Sequence, residues 1–342
     1  MRLLTSLYVT DHRARLSARH GSLLVVNGDG SRSRVPLEAL EAVVLVGHAQ
    51  MTSEAIAACA ARHVRVASLQ GNGRVRYVLG GGLGGNVHLR LAQYRTADDP
   101  ERCLAISRWI VSGKLQNARR MLRRWAWDAP AGRRHRLERL EASIGERLSW
   151  LPEVEDGDTA RGFEGEGTRL YFEGLREHLL GTGCELVFEA RSRRPPRDPV
   201  NAALSFTYGL LLTEITGALE AVGLDPQVGY LHGIRPGRPS LALDLMEEFR
   251  PTHADRFVVG MITHRVLTAD DFVTTTGGAC YLSESGRKKV IETYEAYKVE
   301  EVTHPLLGRE VPRGALPTVQ AILMARHLRG DLPAYPPFVA TA

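Results

Sequence analysis

The apolar residues of this 342-residue chain change their period once, at the glycine-rich run GGGLGGN of residues 80–86. Before it they alternate or fall in short runs bounded by turn residues. After it they recur every three or four positions. A period of two sends successive side chains to opposite faces of a strand, whereas a period of 3.6 lines one face of a helix. The fold class expected is therefore α+β: a small N-terminal β-rich domain followed by a larger all-α domain.

In the first block, strands are expected at 3–10, 15–18, 23–27, 42–47, 64–69 and 74–79, separated by signals such as Gly28-Asp29-Gly30 and the hairpin pair Asn72-Gly73. A short helix at 52–62 has Thr52 or Ser53 as its cap. In the second block, helices are expected at 87–96, 100–128, 134–150, 158–180, 201–222, 240–250, 254–266, 284–298 and 315–329, with a proline-broken basic loop at 191–199. The domains are then 1–79 (strands, dimerisation), 80–86 (hinge), 87–331 (helical, catalytic) and a loosely held tail at 332–342. Gly80, Gly82 and Gly85 spell GxGxxG after a strand, but no later strand offers the acidic residue a dinucleotide site needs about 20 residues on. A flexible hinge fits the run better.

No run of ~20 apolar residues suggests a membrane span, and no signal-peptide pattern opens the chain, so a cytoplasmic protein is expected. Cys59, Cys103, Cys184 and Cys280 are scattered, without the spacing of a zinc knuckle or a disulfide framework. The net charge of +5 is modest, yet arginines crowd residues 119–139 and 191–197, and Arg287, Lys288 and Lys289 form a third cluster. Local basic clusters suggest a polyanion, nucleic acid first, although solvated helix faces read the same way.

The stretch GYLHGIRPGRPSLALDLMEEFRP at 229–251 holds the chemistry. Ser240 is placed to cap a helix that Pro251 should stop, and Leu241, Leu245 and Phe249 share its core face. Asp244 and Glu247 are neighbours at i and i+3, and like charges so placed repel unless a proton or a cation lies between them. His232 offers a nitrogen ligand. Alone, the stretch reads more readily as a solvated acidic face, since acidic pairs on amphipathic helices usually are one. Upstream, RGFEGEGTRLYFEGL at 161–175 sets a glutamate among glycines inside a helix, where each glycine costs ~1 kcal/mol. Close approach of a backbone or ligand would justify that, with Glu164 or Glu166 as a third carboxylate.

The order EG-x-x-x-R-x-YF, then GYLH, then GRPSLALDLMEEFRP, behind a small β domain, resembles the CRISPR adaptation integrases, the larger of the two universal CRISPR-associated proteins of spacer acquisition. GNVHLRLAQYR at 85–95 and DPVNAALSFTYGLL at 198–212 also resemble family segments, and the type I-C-like branch is the most similar. The resemblance covers essentially the whole chain. It implies a catalytic group of Glu164 (seven residues before the tyrosine of YF), His232, Asp244 and Glu247, of which Glu164, His232 and Glu247 hold the metal. It leaves open how Asp244 and Glu247 divide the work.

Carboxylates with one imidazole suit Mg²⁺ or Mn²⁺, which would polarise a phosphodiester oxygen, so no protein nucleophile is required. Tyr171 and Tyr208 are the tyrosines weighed, and set aside, as recombinase nucleophiles. The implied reaction is attack of a foreign fragment's 3′-hydroxyl at the leader–repeat junction. Arg90, Arg95, Arg287, Lys288 and Lys289 are the expected phosphate contacts, with Tyr208 also placed on DNA. The implied partners are DNA, a second copy of the chain, the smaller adaptation protein and a fragment-trimming nuclease. A nuclease without joining activity, and a DNA-binding scaffold without catalysis, are the competing readings.

Overall fold

The computed structural model describes residues 5–71, 75–79 and 87–341. The N-terminal block comprises β1 (Thr5–Val9), β2 (Arg15–Arg19), β3 (Ser22–Val26), β4 (Arg32–Pro36), β5 (Leu40–Val46), β6 (Gln50–Met51), α1 (Ser53–Ala60), β7 (Arg65–Leu69) and β8 (Val75–Leu79). They form two four-stranded sheets, ordered β1-β5-β7-β8 and β4-β3-β2-β6. In the first, β1, β5 and β7 run parallel, and β8 closes it antiparallel to β7. The strands that sequence patterning misses are β4 and the two-residue β6. The RSRVP of β4 is largely exposed, and it holds on at a sheet edge by pairing with β3.

After Glu41, the run AVVLV of β5 is apolar because both faces are buried, each in a different core. Val43 and Leu45 enter a small core with Leu16, Leu23 and Cys59. Val44 and Val46 enter the large core that the helices build. Arg65 on β7 adds a tie across the same boundary, its Nη1 donating to the Thr213 carbonyl at 3.1 Å. The two blocks thus share packing. The expected hinge at 80–86 and the Asn72-Gly73 turn lie outside the described residues.

Nine helices follow among the described residues: α2 (Val87–Ala97), α3 (Pro100–Trp127), α4 (Ala131–Trp150), α5 (Gly157–Gly181), α6 (Pro199–Val222), α7 (Ser240–Phe249), α8 (Arg256–Thr263), α9 (Glu284–Val299) and α10 (Leu316–Leu328). Asp99, Asp156 and Asp198 cap α3, α5 and α6 by accepting first-turn N–H groups. The most apolar of the long helices, α6, is long enough to cross a bilayer, but most of it is buried among the other elements as a core helix.

Three expectations are corrected here. The second block is not wholly helical, since two antiparallel hairpins, β9 (Phe272–Thr274) with β10 (Cys280–Leu282) and β11 (Glu301–His304) with β12 (Arg309–Pro312), are set into it. Pro251 does not end the helical path: a π-helical turn, Arg250–Asp255, leads from α7 directly into α8. Its wider winding admits a residue that lacks an N–H and clashes with the carbonyl four residues back. The tail is not loose. Tyr335 and Phe338 are buried, and the Phe338 ring stacks on Phe249 at 5.5 Å. Asn117 on α3 donates to the Phe338 carbonyl at 2.8 Å and accepts from the Ala340 N–H at 2.9 Å. A Cβ on Gly113 of α3 would lie 2.6 Å from Pro337 Cβ, so that glycine makes room for the tail.

Candidate active site

Leu241, Leu245 and Phe249 of α7 are buried, as their spacing requires. The acidic residues between them do not reach solvent either: Asp244, Glu247 and Glu248 are 0%, 3% and 0% exposed. Three buried carboxyls in five residues must each find polar partners. They find three different sets.

Asp244 reaches back to the segment before its own helix. Its Oδ2 accepts the N–H groups of Tyr230 at 2.6 Å and Leu231 at 3.1 Å. Its Oδ1 accepts the His232 N–H at 2.9 Å and meets His232 Nδ1 at 2.7 Å. Carboxylate oxygens only accept, so Nδ1 donates, and in the neutral imidazole the Nε2 lone pair stands 3.7 Å from Glu247 Oε1. This closeness depends on Gly229, where a Cβ would lie 2.6 Å from the Ser240 carbonyl carbon and 2.7 Å from Asp244 Oδ2. Ser240 is not the expected cap. It is the first residue of α7, and its Oγ donates to the Gly233 carbonyl at 3.1 Å.

Glu247 faces cations. Lys114 Nζ of α3 lies 2.5 Å from its Oε2 and Arg250 Nε lies 3.2 Å from the same oxygen. Burial pushes the Glu247 carboxyl up, but Arg250, Lys114 and His232 together outweigh it and hold the group at about 2. The same Lys114 ammonium is paired with Glu164 of α5, whose Oε1 also accepts from Thr168 Oγ1 at 2.9 Å. Glu166 turns outward to Arg147 at 2.8 Å. Of the glycines around Glu164, Gly162 and Gly165 face open space, and only Gly167 marks a close approach, against Leu115 of α3.

Glu248 faces the tail. Tyr335 Oη and the Phe338 N–H both donate to it at 2.6 Å, and Gln320 Nε2 donates at 3.2 Å. Burial still pushes its carboxyl up to about 8.

Beside Lys114 lies a small cleft, lined in part by Thr168, Tyr171, Arg193, Tyr208 and Arg250. Tyr208 belongs to its buried floor. Its hydroxyl donates to Asp255 at 2.5 Å, and the Arg250 and Arg191 guanidinium carbons stand 4.6 and 5.3 Å from its ring centre. Burial pushes the Asp255 carboxyl up to about 6 and the Tyr208 phenol well above its ordinary range. Tyr208 and the buried Tyr171 are thus framework, and the Tyr208 hydroxyl is already committed to Asp255.

The donor set Glu164, His232 and Glu247 suits a hard divalent ion, since two carboxylates already converge on one cation and an imidazole nitrogen is aimed beside them. As they stand, no three His, Cys, Asp or Glu side chains among the described residues are close enough to hold an ion. The ammonium of Lys114 lies between the two glutamates.

The expected phosphate contacts fare unevenly. Arg287 is corrected: it is buried, its Nη1 donates to the Leu282 carbonyl at 2.8 Å, and its Nη2 lies 3.3 Å from His12 Nε2. It sits on the core face of α9 with Val290, Ile291 and Tyr294. Lys289 is engaged by Asp271 at 2.8 Å. Lys288 and Arg95 are exposed, and Arg90 is half-buried. Sequence reasoning missed Lys114, Arg250 and Thr168. Lys114 was detectable as a lone cation amid Ile110, Val111, Leu115 and Ala118 on the buried face of α3.

Residues 7–296 match the family model described as CRISPR associated protein Cas1. A CRISPR-associated endonuclease Cas1 of Rhodospirillum rubrum is 41% identical over 346 residues, 98% of each chain. A Cas4 exonuclease/Cas1 endonuclease fusion of Geobacter sulfurreducens is 38% identical over 339 residues, 97% of this chain and 60% of the fusion. Among solved structures, a casposase bound to integration product superposes with TM-score 0.84 at 21% identity, over 97% of this chain and 93% of its own. A chain of a Cas6-RT-Cas1–Cas2 complex gives TM-score 0.84 at 21% identity, over 99% of this chain and 36% of its own. At these identities the two structures establish the shared fold.

Proposed function

This chain belongs to the Cas1 family of CRISPR-associated endonucleases, and from that premise we propose that it inserts foreign DNA fragments into a CRISPR array by metal-dependent transesterification. The observation that carries the reading is the convergence of Glu164, His232 and Glu247 from α5, the segment before α7, and α7 itself. Those three residues would hold Mg²⁺ or Mn²⁺, which when bound supplies charge neutralisation at the scissile phosphate. Asp244 is a positioning residue, fixing the His232 ring so that Nε2 faces the ion. Arg250 stiffens Glu247, and Thr168 orients Glu164.

The target strand's backbone would lie along the cleft beside the site, with the exposed Arg193 available to a phosphate oxygen. In the reaction the fragment's 3′-oxygen forms a bond to phosphorus as the target's P–O3′ bond breaks. One phosphodiester replaces another, and the attacking hydroxyl's proton is balanced by that taken up by the released 3′-oxygen. Positioning and charge are therefore what the protein has to supply. Water in the same place gives strand cleavage.

The working assembly is proposed to be a homodimer bound to DNA and to Cas2, with a Cas4-type nuclease trimming the fragment. The composition of the Cas6-RT-Cas1–Cas2 complex and the existence of the Cas4/Cas1 fusion support the two protein partners. The test is a joining assay in Mn²⁺ with a labelled duplex ending in 3′-hydroxyl or 3′-dideoxy, a supercoiled plasmid bearing an array, and Cas2 present or absent. Transfer of label from the 3′-hydroxyl donor alone, abolished by Glu164→Ala and His232→Ala, is expected. Nicking without transfer in both arms would reduce the protein to a nuclease, and intact DNA binding with no chemistry would leave a scaffold.

A further inference from the structure

Lys114 is 5% exposed, and no other lysine side chain among the described residues is paired with both Glu164 and Glu247. Its long helix could have carried an apolar residue there, in register with Val111, Leu115 and Ala118. A buried ammonium is tolerated only where anions answer it. Here the anions are the two carboxylates of the proposed ion site. We infer that Lys114 is a built-in counter-cation, which occupies the position between Glu164 and Glu247 when no divalent ion is bound and withdraws when one enters.

Two further observations fit this. Without an intervening cation, Glu164 and Glu247 would repel inside the core. With a divalent ion between them, a retained ammonium would add a third positive charge to two carboxylates already neutralised, so the two cations exclude each other. Lys114 also lines the cleft with Thr168 and the exposed Arg193, so the withdrawn ammonium can swing along that cleft, toward the side where a DNA phosphate would lie. The inference rests on the ion site proposed above, and it makes affinity for the ion a balance between internal and external cations.

Mn²⁺ binding to the full-length protein is to be measured at fixed pH from the electron paramagnetic resonance signal of the free ion. Wild type, Lys114→Gln and Glu247→Gln are compared. Wild type should bind one ion that Glu247→Gln loses. Lys114→Gln, which keeps hydrogen-bond donors without the charge, should bind it at least tenfold more tightly, or 1.4 kcal/mol. Its melting temperature should fall in EDTA and rise more than that of wild type on adding Mn²⁺. In case the variant folds poorly, acetylation of Lys114 in wild type is followed by peptide mass spectrometry and should increase when Mg²⁺ replaces EDTA.

Equal or weaker affinity in Lys114→Gln, or an acetylation rate indifferent to Mg²⁺, would overturn the inference while leaving the ion site standing. Absence of Mn²⁺ binding in wild type, or its survival in Glu247→Gln, would remove the ion site and the inference with it.

Discussion

Replacing Asp244 by asparagine changes one atom at the point where α7 holds the preceding segment, and its cost can be worked from four contacts. Two N–H groups, of Tyr230 and Leu231, end on Oδ2, and two donors, the His232 N–H and Nδ1, end on Oδ1. An asparagine must put its NH₂ in one of those places. Facing Tyr230 and Leu231, it leaves two buried N–H groups without an acceptor, at roughly 1–3 kcal/mol each. Facing His232, it strands one backbone N–H and forces the imidazole to accept at Nδ1. The second placement is cheaper, at about 2–4 kcal/mol in total. It moves the ring proton to Nε2, where a metal lone pair is needed. Asp244→Asn is therefore expected to fold, to lose about 2–4 kcal/mol in urea denaturation, and to bind Mn²⁺ at least 10–100-fold more weakly than wild type. Urea midpoints and Mn²⁺ titration on the same preparation check both. A variant that keeps wild-type affinity for Mn²⁺ would refute the tautomer argument, whatever its stability.

Two other predictions follow from the core behind the site. His253 is buried against Tyr294, and burial, with Arg313 and Lys298 nearby, pushes its imidazole down to about 3. Between about 3 and 6.5 the unfolded chain binds a proton that the folded one refuses, so stability is present above that window and is lost as pH falls through it. Relative to His253→Phe, wild type should lose up to about 1.4 kcal/mol per pH unit below 6.5 in urea melts; a pH-independent gap would contradict this. Phe338→Ala empties the place stacked on Phe249 and should cost about 3–5 kcal/mol by the same measurement. A loss under about 1 kcal/mol would show that the tail contributes little to the core.

The sequence makes the large elements legible because their causes are local. The 28 residues of α3 carry an Asp99 cap and unbroken helical spacing, and the continuous apolar run of β5 needs no partner to be recognised. What escaped it has causes elsewhere in the chain. β4 owes its strand to pairing with β3, not to its own RSRVP. Pro251 reads as a stop because the π-helical turn that admits it is stabilised by packing. Arg287 looks like its neighbour Lys288 in a basic run, yet the helical period puts one in the core and the other in solvent. In the site, the acidic members and the histidine lie in two compact stretches and were visible. Lys114, fifty residues before Glu164, stands out only as a lone cation on an apolar face, and its role stayed hidden because the carboxylates that explain a lysine there belong to other helices.

The docking of the tail has a consequence for biogenesis. Asn117 and the Phe338 carbonyl that it holds are 221 positions apart, so the clasp behind α7 is among the longest-range closures in the fold. A polypeptide interrupted anywhere between residues 250 and 335 would carry Glu164, His232, Asp244 and Glu247. It would nevertheless leave Glu248 buried without the Tyr335 and Phe338 donors, and Phe249 without its stacking partner. An incomplete or clipped chain is thus denied a firmly held α7, and with it the fixed setting of Asp244 and Glu247.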